Sequence, residues 1–297
     1  MRGAAELRGG RSLNSYKIKT EKLELKITIV DVSRIHLHEE TIPETVRTLA
    51  DDILKSKVLR HPVIVDEKTL VVLDGMHRVA ALQMAGCLRI PVCLVDYDDP
   101  SITVETWYRA FHRKTEGGLL KELTKLNIQT DQADIEKARI ELGNRSARAF
   151  IATKEKCLIV RGEGQDLKED YQLVARMERV AEGLGYEVSY ETERDALREL
   201  DEEENVVVIA PPPIRKSDVR EYGARDELLP HKATRHIIPA RPLGIDVPVE
   251  ILRSQHLDLS EANRQLIERL KKRALQKFEP GSVIENRRYE EQVFLFK

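Results

Sequence analysis

Several things are scarce in this chain, and each shortage narrows the classes open to it. Only three cysteines occur in 297 residues. Cys87, Cys93 and Cys157 are odd in number and lack paired metal-ligand spacing, which argues against a disulfide framework or a zinc site. They suit small core residues in a reducing compartment. No apolar run approaches the ~18 residues of a membrane helix, and the first twenty residues hold no apolar signal segment. A soluble, cytoplasmic protein without a membrane partner is expected. Neither sign of charge dominates, with 49 Lys and Arg against 51 Asp and Glu. That balance disfavours a nucleic-acid binder working through a broadly basic surface. Aromatics are only 5% of the chain while charged residues reach 34%, and that charge density together with so few cysteines resembles the composition of thermophile proteins. No G-x-x-x-x-G-K-[ST] loop and no protein-kinase catalytic loop occurs, so any phosphate chemistry needs another cradle.

What is present centres on Leu70-Val71-Val72-Leu73-Asp74-Gly75-Met76-His77-Arg78. Four consecutive apolar residues predict a strand covered on both faces. The strand stops at Asp74-Gly75 and turns into a helix carrying Val79, Leu82 and Ala85, with Gly86 placed to end it. Gly75 lets the backbone pass close to a ligand. A helix N-terminus flanked by His77 and Arg78 favours an anion such as a phosphate. Asp74 can hold a metal ion or take a proton. For an isolated D-G-x-H-R, a helix cap with a structural Arg–Asp pair is the competing reading.

The length predicts two domains. Residues 1–22 are polar and Gly-dotted and read as a loose N-terminal arm. Residues 23–115 read as a first α+β domain, in which Pro43 opens a helix and Pro91 marks its strand as an edge or a strand start. Residues 116–146 read as a charged helical connector. Residues 147–252 read as a second α+β domain, and 253–297 as a helical extension.

Three further polar clusters stand where elements end: His38-Glu39, Thr106-Trp107-Tyr108 and Thr234-Arg235-His236. Each alone has an ordinary explanation. Glu39 reads as a solvated charge near a helix start, Trp107 as a core residue, and the Thr234 cluster as a surface turn. His36 and His38 lack a third ligand at a telling spacing, so no transition-metal site is expected.

Taken in order, these motifs resemble the ParB/sulfiredoxin fold and, within it, the archaeal free serine kinases. That family carries an H-E pair before the first helix, a D-G-H-H-R box, a T-W-Y segment and a T-R-H-[IV]-[IL]-P motif. Here they stand as His38-Glu39, Asp74 to Arg78, Thr106 to Tyr108 and Thr234 to Pro239, spanning roughly residues 24–252. Met76 departs from the family, replacing the first His of the box with a side chain that neither titrates nor donates. It also separates the chain from sulfiredoxins, whose nucleophilic Cys needs a thiolate.

The resemblance implies an α+β fold and a kinase moving a phosphoryl group from ATP or ADP, with Mg²⁺, to free L-serine. Glu39 is then the catalytic base, and Asp74 a catalytic residue and metal ligand. Gly75, Met76, His77 and Arg78 form the nucleotide site, and Trp107, Thr234, Arg235 and His236 line the amino-acid site. It further implies that the two domains face each other across a cleft. A rival of another class is a ParB-like nucleotide-dependent DNA-binding regulator without transferase activity; a third is a sensor that binds the amino acid without turnover. The oligomeric state is not legible.

Overall fold

The computed structural model describes residues 14–112, 118–126, 128–162 and 166–297. Residues 1–13 of the expected arm lie outside the described residues. The chain divides into two compact units that are both discontinuous in sequence. One comprises residues 1–35, 42–101 and 238–297, the other 36–41 and 102–237.

In the first unit, β1 (Tyr16–Lys19) and β2 (Glu24–Asp31) form an antiparallel pair, so part of the expected arm is a strand. The reason is local: Tyr16 and Ile18 alternate with lysines, and Ile18 is buried while Tyr16 meets the Phe296 ring edge-on at 5.4 Å. Helix α1 (Pro43–Ser56) begins on its proline and turns Val46, Ala50 and Ile53 inward. Then come β3 (Val63–Asp66), β4 (Val72–Asp74), helix α2 (Met76–Met84) and β5 (Arg89–Val95). The sheet order is β1-β2-β5-β3-β4. Strand β5 is therefore interior, contrary to the reading of Pro91. It tolerates the proline because its pairing with β3 starts only at Val92, one residue beyond the missing N–H.

The second unit holds a six-stranded sheet. Its strands are Tyr108–His112, Gln129–Ala133, Ala149–Ala152, Cys157–Arg161, Glu187–Glu191 and Val206–Ala210, every neighbouring pair antiparallel. Tyr108–His112 lies inside this sheet, with Ala110 and Phe111 sending their side chains into the cores on opposite faces. That is why the middle segment of the first unit stops at Ser101 instead of running to residue 115. The expected connector is not purely helical either, since Gln129–Ala133 is the edge strand of the same sheet. Thr103–Thr106 and Thr234–Ile237 form a separate two-stranded ribbon, here β6 and β7.

The expected helical extension is helical only over Leu259–Lys271 and then returns as strands. The helix docks on β2 through Asn263. Its Oδ1 accepts from the Ile29 N–H and the Thr28 hydroxyl at 2.6 and 2.7 Å, and its Nδ2 donates to the Ile29 carbonyl at 2.9 Å. Strand β1 covers β2 only as far as Ile27, so Asn263 takes over backbone groups the ladder leaves open. Ala240–Leu243, Gln292–Phe296 and Leu275–Phe278 make a three-stranded sheet in the first unit. Among the described residues, no helix is long and apolar enough to cross a membrane.

Candidate active site: two carboxylates in two environments

In the first unit the chain leaves β4 at Asp74 and starts α2 at Met76, with Gly75 as the N-cap at φ +107°. An L side chain is strained at that angle. It would also collide, because a Cβ on Gly75 falls 2.7 Å from the Arg78 guanidinium. Arg78 folds back over the glycine, donating to the Pro62 carbonyl at 2.7 Å and to Asp74 Oδ2 at 2.8 Å. Arg241 donates to the same Oδ2 at 3.0 Å. Burial pushes the Asp74 carboxyl up, but the two guanidiniums outweigh it and hold it at about 2. About a third of the side chain remains open to solvent. The structural Arg–Asp pair is thus real, and it sits at a helix terminus whose first N–H groups have no intrahelical partner. His77 accepts the Ile42 N–H on Nε2 at 3.0 Å, which places a ring proton on Nδ1.

In the second unit Glu39 is 6% exposed. Its Oε1 accepts the Lys232 N–H at 2.9 Å. Its Oε2 accepts the Ala233 and Thr234 N–H groups at 3.1 and 2.9 Å and the Thr234 hydroxyl at 2.9 Å. Three consecutive N–H groups make a nest around the carboxylate. Lys232 is held at φ +61° within it. Burial is the dominant influence and raises the carboxyl above the usual range, although the Thr234 and Lys232 donors pull the other way. Next to Glu39, His38 is fully buried; its Nε2 lies 3.0 Å from Thr234 Oγ1 and its ring meets His236 edge-on at 5.6 Å. Glu39 is therefore no solvated charge, and Thr234-Arg235-His236 is a strand.

Alternation along β7 sends Thr234 and His236 to one face and Arg235 to the other. Arg235 pairs with Glu105, its register partner on β6. Both border a cavity of about 620 Å³ that Tyr108, Arg139 and Glu193 also line. The Lys232 ammonium and the Arg235 guanidinium lie 5.5 and 5.4 Å from the Trp107 ring centroid.

Sequence reasoning missed several residues that hold these groups in place. Arg109 is completely buried and donates to the Trp107 and His231 carbonyls while pairing with Glu178. Tyr171 donates to the Pro212 carbonyl at 2.9 Å and reaches Thr106 Oγ1 at 3.3 Å. Lys232 and Arg241 were missed too. Lys232 and Arg241 lie two residues from the Thr234–Pro239 motif, and adjacency to it was the only available signal.

No protein-family model matches the chain. It is 30% identical over 235 residues to an ATP-dependent L-serine kinase of Staphylothermus marinus, covering 90% of that protein and 76% of this one. It is 25% identical over 248 residues to an ADP-dependent L-serine kinase of Thermococcus kodakarensis, covering 99% of that protein and 82% of this one. Among solved structures it is similar to a free serine kinase in complex with AMP, with a TM-score of 0.64 and 25% identity, covering all of that chain and 82% of this one.

Proposed function

The chain belongs to the free L-serine kinase family, and on that premise we propose that it phosphorylates free L-serine with ATP or ADP, giving O-phospho-L-serine. The observation that carries this reading is the Glu39 nest. A carboxyl kept out of water, with its ionisation pushed toward neutral pH, suits a general base for an alcohol proton. Glu39 takes the serine hydroxyl proton as the oxygen attacks the donor's terminal phosphorus, and the bridging oxygen leaves with the bonding pair as part of ADP (from ATP) or AMP (from ADP). Such transfers are governed by positioning and charge stabilisation.

Acceptor recognition falls to Thr234 and His236 on the Glu39 face, to Trp107, and to Arg235, which would have to swing past the Trp107 ring from the opposite face of its strand. The Trp107 ring flanked by two cations suits the amino acid's carboxylate, and Arg235 would exchange Glu105 for it. Donor recognition falls to Gly75, His77, Arg78 and the first turn of α2, with Met76 offering only apolar contact. Among the described residues no group of three His, Cys, Asp or Glu side chains gathers to hold a metal ion. Asp74 fits a Mg²⁺ ion that arrives with the nucleotide, since such ions are usually bound by one or two carboxylates plus phosphates. Both guanidiniums converge on Oδ2, so Asp74 would hold the ion through its other carboxylate oxygen. Bound there, Mg²⁺ would neutralise phosphate charge. We read the first unit as the ParB/sulfiredoxin type, and the site of action as the cytoplasm.

Incubating the protein with L-serine, Mg²⁺ and either ATP or ADP, followed by phosphorus NMR, tests the reading. A new O-phosphoserine resonance is expected with at least one donor. Nucleotide binding without phosphoserine from either donor would leave a sensor or regulator in its place.

A further inference from the structure

The chain beyond Arg253 lies outside the span of the family motifs, yet it returns to the Asp74 cradle within the first unit. Val283–Ile284 and Arg287–Arg288 pair as a tight hairpin. Its turn residues Glu285 and Asn286 are both left-handed, at φ +50° and +65°, as a two-residue turn of the primed type requires. Two contacts aim this hairpin at the cradle. The Glu285 carboxylate lies 3.8 Å from His61 Nε2 and 3.5 Å from Arg60, in the segment whose Pro62 carbonyl receives Arg78. Beyond the turn, the Tyr289 ring has Arg287 4.9 Å and Arg241 5.8 Å from its centroid. Arg241 in turn holds Asp74 and pairs with Glu291.

Tyr289 is a fixed platform. It is 6% exposed, its N–H donates to the Ser282 carbonyl, and its own carbonyl receives the Gly281 N–H. Arg287 is exposed above it. Three guanidiniums, of Arg78, Arg241 and Arg287, therefore face two carboxylates, of Asp74 and Glu291, beside a positive helix terminus. The excess is cationic and one of the three is open to solvent. Met76, at the start of α2, offers no donor.

We propose that the C-terminal hairpin is a wall of the donor site, with Arg287, set on Tyr289, supplying a further cation to the nucleotide's phosphate chain. The inference rests on the reading of Asp74 to Arg78 as the donor cradle. Arg288 provides an internal control, because it is also exposed in the same hairpin but pairs with Glu290 at 2.9 Å.

Calorimetric titration of the full chain with ADP, pyrophosphate and adenosine tests it, using wild type, Arg287→Ala, Arg287→Lys and Arg288→Ala. Arg287→Ala is expected to weaken ADP and pyrophosphate together by roughly 5- to 20-fold, the effect of losing one charge-assisted contact at an open site. Adenosine affinity and melting temperature should hold, Arg287→Lys should recover part of the loss, and Arg288→Ala should match wild type. Unchanged ADP affinity in Arg287→Ala overturns the inference alone, as does an equal loss for adenosine, which would mark a merely structural role. Wild type that binds neither ADP nor pyrophosphate overturns the donor reading and this inference with it.

Discussion

Asp74 and Glu39 are two carboxylates that the fold treats in opposite ways. Asp74 is held by cations. Arg78 and Arg241 converge on one of its oxygens and keep it ionised down to about pH 2. Glu39 is held by neutral dipoles, three backbone N–H groups and a hydroxyl, in a place with little water, and burial raises it. Environments that push like groups apart separate their chemical duties. A carboxylate that stays ionised at working pH is suited to orient cations and phosphate-borne metal. One raised toward working pH is suited to take a proton and give it up.

The largest effect that would break this comparison is on turnover. Glu39→Gln is expected to lower kcat by roughly 10²- to 10⁴-fold with nucleotide affinity nearly intact; stopped assays for O-phosphoserine beside nucleotide titration would check both. Near-wild-type turnover would return Glu39 to a purely structural anchor for the Lys232–Thr234 segment.

Next in size is the cradle. Arg78→Ala should weaken ADP binding by roughly 10- to 100-fold, because a charge-assisted donor is lost and Asp74 is left with one partner. If calorimetry gives wild-type affinity and the melting temperature alone falls, the pair with Asp74 is architectural. Gly75→Ala attacks the same point from the backbone. With φ at +107° and the guanidinium in the way, it should cost on the order of 1–3 kcal/mol in denaturant unfolding. A neutral result would mean that Arg78 can move aside freely.

Much of the cradle was legible because it is local. A strand, Asp-Gly, a helix with His77 and Arg78, and Gly86 beyond it can be read from neighbours in the chain, and the structure keeps that order. The Glu39 nest was only half legible. Thr234 stood out as part of a motif, but the N–H groups that hold Glu39 belong to every residue and leave no mark in sequence. Arg109 and Tyr171 were invisible for another reason: most of their partners lie far along the chain, and nothing local distinguishes a buried Arg from a solvated one. The unit boundaries failed similarly. Tyr108–His112 reads as the end of one domain, and only its pairing with Glu187–Glu191 and Val206–Ala210 reveals it as the interior of another.

Smaller effects sharpen the acceptor side and the acid behaviour. Arg235→Lys should raise the serine KM several-fold with little change in kcat, since a point charge cannot reproduce a fork on two oxygens, and ethanolamine, lacking the carboxylate, should be a very poor acceptor. Efficient ethanolamine phosphorylation by wild type, or an unchanged serine KM in Arg235→Lys, would remove Arg235 from the acceptor site. The ionised Asp74 contributes stability that is complete above its unfolded pKa of about 4 and lost as pH falls through about 2. The melting-temperature gap between wild type and Asp74→Asn should therefore narrow across that window. A gap constant from pH 5 to pH 2 would show that the cations do not hold Asp74 low.

The most direct measurement is the pH dependence of kcat for phosphoserine formation, in wild type and in Glu39→Gln, at saturating serine and nucleotide. The ionised base grows as pH rises through its pKa. Wild type should therefore lose activity on acidification along a one-proton limb centred above the ordinary Glu value of about 4.3, in the direction that burial imposes on Glu39. The residual activity of Glu39→Gln should lack that limb. The same limb persisting in Glu39→Gln, at comparable turnover, would contradict the assignment of Glu39 as the proton acceptor.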